Sequence, residues 1–216
     1  MSANSPHYKL IYFPVRGRGE CVRYIFAAAG VPYEEEIVAF ETEWPNYKPT
    51  TPMGGLPILV VDNREKICQH IAICRYLGNK FGLVSKDLME QAKADMYVDG
   101  ANELFTGLVP CVLAMAVEKN MKKFKEMFGK FLVDTGIPFL NRYTKFLEAN
   151  PSKSGWLIGE KMTWADIYVG EFITRMEGLK PDLLKDYPKL KAFAQKVESV
   201  PGIAKRVKER PAEYIF

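Results

Sequence analysis

The sequence predicts a small α/β layer over its first eighty residues, followed by an all-helical region. Three observations carry that expectation. Short β-branched or aromatic runs alternate with helical periods as far as Phe81. Beyond Gly82 only helical periods recur. A short polar linker, Gly82-Leu-Val-Ser-Lys-Asp87, separates the two patterns, with Ser85 as a capping-type residue. The expected domains are therefore 1–83 and 84–216.

The opening run Lys9-Leu-Ile-Tyr-Phe13 reads as a strand, with Pro14 and Gly17 as breakers after it. From 18 to 29, Val22, Ile25, Phe26 and Ala29 recur at helical spacing, and Gly30-Val31-Pro32 stops that helix. Residues 33–40 read as a second strand. Residues 41–48 are irregular or briefly helical, and Pro49, Pro52, Gly54 and Gly55 cannot continue them. Pro57-Ile-Leu-Val-Val61 is a β-branched strand whose partner is 66–68, across a turn at Asp62-Asn63-Arg64. Helical periodicity returns from 71 to 81.

In the second half, helices are expected over 88–120, 122–149, 163–178 and 187–199. Tyr187, Leu190, Phe193, Ala194 and Val197 form an apolar stripe in the last of these. Thr163-Trp-Ala-Asp166 has capping-box spacing. Asp166 most simply satisfies backbone donors there, with a catalytic role as the alternative.

Composition narrows function only a little. The chain has 216 residues, 48% hydrophobic and 26% charged, which excludes disordered, collagen-like and coiled-coil classes. Thirty Lys and Arg against 26 Asp and Glu leave +4, with no aromatic-interleaved basic run, so nucleic acid is not an expected partner. No apolar run reaches the roughly 18 residues of a membrane span, and the first residues lack signal-peptide character. A cytoplasmic location without a membrane partner is the expectation. Cys21, Cys68, Cys74 and Cys111 contain no C-x-x-C and fit no zinc spacing; with only His7 and His70, no metal site is expected. The cysteines read as buried small hydrophobes, with a redox role as the alternative.

One set of motifs is more specific. Tyr8-Lys-Leu-Ile-Tyr-Phe-Pro-Val-Arg-Gly-Arg-Gly-Glu20, Trp44-Pro-Asn-Tyr-Lys48, Pro52-Met-Gly-Gly-Leu-Pro57, Gln69-His-Ile-Ala-Ile-Cys-Arg-Tyr-Leu77, Asp95-x-x-x-Asp99 and Leu157-Ile-Gly-Glu-Lys-Met-Thr-Trp-Ala-Asp166 occur in that order. Together they resemble the sigma class of glutathione transferases, a family that includes glutathione-dependent prostaglandin D synthases. The resemblance spans almost the whole chain and implies a thioredoxin-like glutathione-binding domain followed by an all-α domain.

It also implies roles. Tyr12 would donate a hydrogen bond to the glutathione sulfur and favour the thiolate, and Arg18 would strengthen that effect. A thiol of pKa about 8.5 is only a few per cent ionised at neutral pH. Lowering it by about 2 units takes roughly 2.7 kcal/mol, within reach of a charge-assisted hydrogen bond and a nearby cation. An isolated tyrosine there would read as a core residue; the flanking Phe-x-x-Arg-Gly-Arg favours the catalytic role. Trp44 and Lys48 would hold the glycine end of glutathione. Phe13, Gly54, Gly55, Leu56 and Pro57 would complete that wall, with Leu56-Pro57 cis. Gln69 and His70, opening a helix, would bind the γ-glutamyl carboxylate. Asp99 would reach the ligand's ammonium across a homodimer interface. Phe13, Val15, Tyr168 and Phe172 are candidates for a pocket accepting hydrophobic electrophiles.

Three departures stand out. His70 replaces a serine whose hydroxyl binds the carboxylate, and weakened binding is expected. Gly55 replaces a longer side chain. The Asp62–Lys66 turn is one residue longer than usual, with Asn63 in place of glycine. The expected activity is conjugation, with prostaglandin isomerisation or a non-catalytic crystallin-like or ligand-carrying role as rivals.

Overall fold

The computed structural model describes residues 6–212 and 214. They form two compact units, 6–83 with 198–212 and 214, and 84–197. The final segment thus belongs with the first unit and not with the helical domain, where 84–216 was expected.

In the first unit, β1 (Tyr8–Tyr12), β2 (Glu34–Ile37), β3 (Ile58–Val61) and β4 (Glu65–Cys68) form one sheet in the order β2-β1-β3-β4. β1 runs parallel to β2 and antiparallel to β3, and β3 is antiparallel to β4. The chain leaves β1 through α1 (Glu20–Ala29), a crossover that makes the parallel pairing possible. β1 and β3 are the buried pair, with Leu10 and Leu59 at 0% exposure. The β3–β4 turn has positive φ at both Asp62 and Asn63, and the Arg64 amide donates to Val61 O at 3.0 Å. This is the primed geometry that suits a hairpin's twist, and Asp and Asn tolerate it. α2 (Trp44–Tyr47) is a single turn before a 3₁₀ turn at Lys48–Thr50, and α3 (His70–Lys80) follows β4.

The missed element is α9 (Pro201–Glu209), which packs on α1. Gly202 makes the approach possible: a Cβ there would stand 1.8 Å from Ala27 O. Arg206 and Arg210 of this terminal segment pair with Glu20, which is 0% exposed. Arg23, also at 0%, holds the same carboxylate at 3.0 Å and Glu35 at 2.6 Å. Burial pushes the Glu20 carboxyl upward, and Arg206, Arg23 and Arg210 overcome it, leaving the group below its ordinary 4.5.

The second unit consists of α4 (Leu88–Ala116), α5 (Met121–Phe131), α6 (Ile137–Ala149), α7 (Trp164–Leu179) and α8 (Pro188–Glu198). The single helix expected over 122–149 is divided by a π-turn at Leu132–Gly136. Pro138 brings no amide to the ladder and so favours the wider turn before it. Asp87, and not Ser85, caps α4, accepting from the Glu90 amide at 2.9 Å. Asp166 accepts from the Leu157 amide, the Thr163 amide and the Thr163 hydroxyl at 2.7–2.8 Å, completing the capping box. Burial nonetheless raises its carboxyl to about 6. Leu190, Phe193, Ala194 and Val197 are all buried on α8. Among the described residues no helix is long and apolar enough to cross a membrane.

Glu20 gives a pH signature. Its folded pKa lies below 4.5, so its contribution is present above pH 4.5 and is lost as pH falls through the lower folded value. Urea unfolding of the wild type should weaken over that range, and Glu20→Gln should flatten this part of the profile. Replacing Arg23 by Met should cost about 3–5 kcal/mol at pH 7, because two carboxylates lose a buried partner.

Candidate functional site

β1 delivers Tyr12 to the start of a loop, 13–19, that turns back over its ring. The Arg18 amide donates to the Tyr12 hydroxyl at 2.7 Å, and the side chain is 6% exposed. Glycine is required for this closure. Gly17 has φ +40°, and a Cβ there would lie 2.4 Å from the hydroxyl; at Gly19 it would lie 2.4 Å from Tyr12 Cδ1. Neither position has space for a side chain while the ring stays in place.

The same loop is fastened from behind. Arg23 donates to Val15 O at 2.7 Å and Phe13 O at 3.4 Å, and its guanidinium lies 5.7 Å from the Tyr12 ring centroid. Phe13 meets Tyr12 at 5.5 Å and Trp44 edge-on at 5.2 Å. Phe13, Trp44, Tyr47, Leu56 and Cys68 pack on a small core of Ile11, Val38, Ile58 and Val60. Lys48, exposed, begins the 3₁₀ turn, and its Cε would be 3.8 Å from a Cβ on Gly54.

A recess of about 90 Å³ opens on this unit. Gly55, Leu56 and Pro57 line it where the chain enters β3, through a cis Leu56-Pro57 bond. Gln69 and His70 line it at the start of α3, and Arg18, Met53 and Cys68 complete it. Gln69 has φ +70°, a sparsely populated backbone for a non-glycine residue, costing on the order of 1–3 kcal/mol. His70 is 5% exposed, at the helix end whose first amides lack intrahelical acceptors. Backbone groups beside the proline, a helix N-terminus and Arg18 make the recess suited to a peptide-like anion.

The sequence-derived residues therefore fall into three groups. Arg18, Gly55, Leu56, Pro57, Gln69 and His70 share the recess. Tyr12, Phe13 and Trp44 form a chain of ring contacts, with Val15 held in the loop and Lys48 beside Gly54. Asp99, Tyr168 and Phe172 belong to the other unit. Asp99 is exposed on α4. The Tyr168 hydroxyl lies 3.4 Å from Asn102 Oδ1, and the residue is 5% exposed. Phe172 turns into the helical core, edge-on to Phe105 at 6.0 Å and Phe139 at 5.8 Å. α7 is buried on nearly every side, so four-residue spacing alone does not separate a core ring from a pocket wall. Arg23 escaped the sequence reading because it looks like any helical arginine. The alternating glycines of Arg16-Gly-Arg-Gly19 were a visible signal for the fit around Tyr12.

Residues 8–79 match the family model described as Glutathione S-transferase, N-terminal domain, and residues 109–210 that described as Glutathione S-transferase, C-terminal domain. The chain is 38% identical to Glutathione S-transferase 1 of Ascaris suum, over 95% of this chain and 98% of that one. It is 38% identical to Hematopoietic prostaglandin D synthase of Gallus gallus, over the same shares. Among solved structures, monomeric Na-GST-3, a glutathione s-transferase from the hookworm Necator americanus, is similar at 34% identity with TM-score 0.86, covering 95% of this chain and 98% of that one.

Gly19→Ala should force the Tyr12 ring from its cradle and cost about 1–3 kcal/mol in urea unfolding, an overpacking penalty. Gly55→Ala, with open space around its Cβ position, should cost far less.

Proposed function

The chain belongs to the glutathione S-transferase family, and from that premise we propose that Tyr12 holds the glutathione sulfur as a thiolate for attack on soft, hydrophobic electrophiles. The observation that carries this reading is the Arg18 amide bonded at 2.7 Å to the Tyr12 hydroxyl. The amide fixes the hydroxyl oxygen at the mouth of the loop, and in this reading the phenol O–H donates toward the sulfur. A donor bonded in this way is also a stronger one.

The rest of the tripeptide finds chemical counterparts. Lys48 pairs with the glycine carboxylate, and the Trp44 indole N–H donates a second bond. Leu56, entering the cis Leu56-Pro57 bond, pairs its backbone with the cysteinyl peptide. Gln69 and the amide of residue 70 take the γ-glutamyl carboxylate. Arg18 lines the same recess and adds a cation to it. His70 keeps the amide but replaces the hydroxyl, so binding is weaker than with serine. Phe13 and Val15 supply an apolar edge. In this reading two chains pair, and Asp99 of each answers the ammonium bound by the other. The Necator relative described as monomeric makes that pairing the part most in need of a direct test. Isomerisation of a prostaglandin endoperoxide uses the same thiolate, and the likeness to a prostaglandin D synthase supports it as the second reading.

Three measurements examine these roles. Tyr12→Phe should lower kcat/KM with an aryl halide by roughly 10–100-fold, the size of one charge-assisted hydrogen bond, and return the bound thiol's pKa toward about 8.5. Unchanged turnover would remove Tyr12 from the mechanism. His70→Ser should tighten glutathione by roughly 3–10-fold in calorimetry, about 1 kcal/mol. Sedimentation should report a dimer in which Asp99→Ala raises KM for glutathione; a monomer of full activity would refute the shared site.

A further inference from the structure

Two of the four cysteines, 53 residues apart in sequence, meet inside the first unit. Cys21 Sγ on α1 and Cys74 Sγ on α3 are 3.5 Å apart, and both side chains are buried, at 4% and 0% exposure. Neither is in a disulfide. A disulfide needs sulfur atoms about 2.05 Å apart, so closing the gap takes about 1.5 Å, shared between side-chain rotation and a small approach of the helices.

From this contact we infer that Cys21 and Cys74 form an intramolecular disulfide when the protein meets a small hydroperoxide, and that the bond loosens the loop holding Tyr12. The oxidant is a peroxide on grounds of size. Hydrogen peroxide is close to water in size, whereas a peptide disulfide is too bulky for residues that are only 4% and 0% exposed. The Cys21 sulfur attacks one peroxide oxygen, breaking the O–O bond, and the departing hydroxide takes up the proton the thiol gives up, leaving a sulfenic acid and one water. The Cys74 sulfur then displaces the sulfenic oxygen, which leaves as a second water. Two thiols and one hydrogen peroxide thus become one disulfide and two waters, and an added dithiol reverses the change.

The effect on the loop follows from what Cys21 already does. Its thiol donates to Arg18 O at 3.3 Å, and the Arg18 amide donates to the Tyr12 hydroxyl. A disulfide sulfur carries no proton, so the Arg18 carbonyl loses that donor. The new bond also draws on both sides of the recess. Cys21 lies in the first turn of α1, just after Arg18. Cys74 lies one turn beyond His70 on α3, on the same face.

The structural part of this inference stands apart from the assigned activity; its consequence for turnover rests on the Tyr12 reading. Purified full-length chain is treated with hydrogen peroxide, alkylated under native conditions, digested and examined by mass spectrometry. A peptide joining Cys21 to Cys74, lighter by two hydrogens and lost on dithiothreitol treatment, is expected. Its absence, or linkage to Cys68 or Cys111 instead, overturns the proposal. Amide exchange across 12–20 should quicken in the oxidised chain, and unchanged exchange refutes the loosening. Transferase turnover should fall several-fold, recover with dithiothreitol, and survive peroxide in Cys74→Ala; equal loss in that variant refutes the link to this pair. If the reduced chain lacks Tyr12-dependent turnover, the functional assignment fails, while peptide mapping and exchange still decide the disulfide.

Discussion

The Arg23 guanidinium is the fixed point of the first unit. It is fully buried and reaches Glu20 on its own helix, Glu35 on β2, and the carbonyls of Phe13 and Val15 in the loop after β1. Its planar fork satisfies several acceptors at once, which a lysine could not reproduce. A charge so far from water is tolerable only while its partners stay, so helix, strand and loop are obliged to keep their mutual positions. That obligation is what gives Tyr12 a defined setting. The loop cannot drift, the glycines close on the ring, and the Arg18 amide finds the hydroxyl.

The recess follows from the same economy of parts. Three backbone features meet at its walls: a cis bond before β3, a left-handed residue before α3, and the start of that helix. Arg18 and Gln69 bring a charge and an amide group to the same lining.

Much of this was legible in the sequence because it is local. Strand alternation, the Gly30 stop, the capping box at Thr163 and the Asp62-Asn63 turn all arise from chemistry within a few residues. The run Arg16-Gly-Arg-Gly19 marks the loop because both of its glycines are needed on the spot. What escaped reading is what long-range contact decides. α9 has a modest apolar face and only Ile203 fully buried, so nothing in its own composition announces that it docks on α1. Cys21 and Cys74 looked like two isolated small hydrophobes because 53 residues separate them.

The return of α9 to the first unit bears on how the polypeptide matures. During synthesis the sheet and α1 emerge well before α9, with Glu20 facing Arg23 but lacking Arg206 and Arg210, and with the surface around Ala27 bare. Arg206 follows Glu20 only 186 residues later in the chain. The first unit is thus completed only once the whole helical unit has been made, and a chain cut just before α9 would carry every residue of the recess on an incomplete foundation.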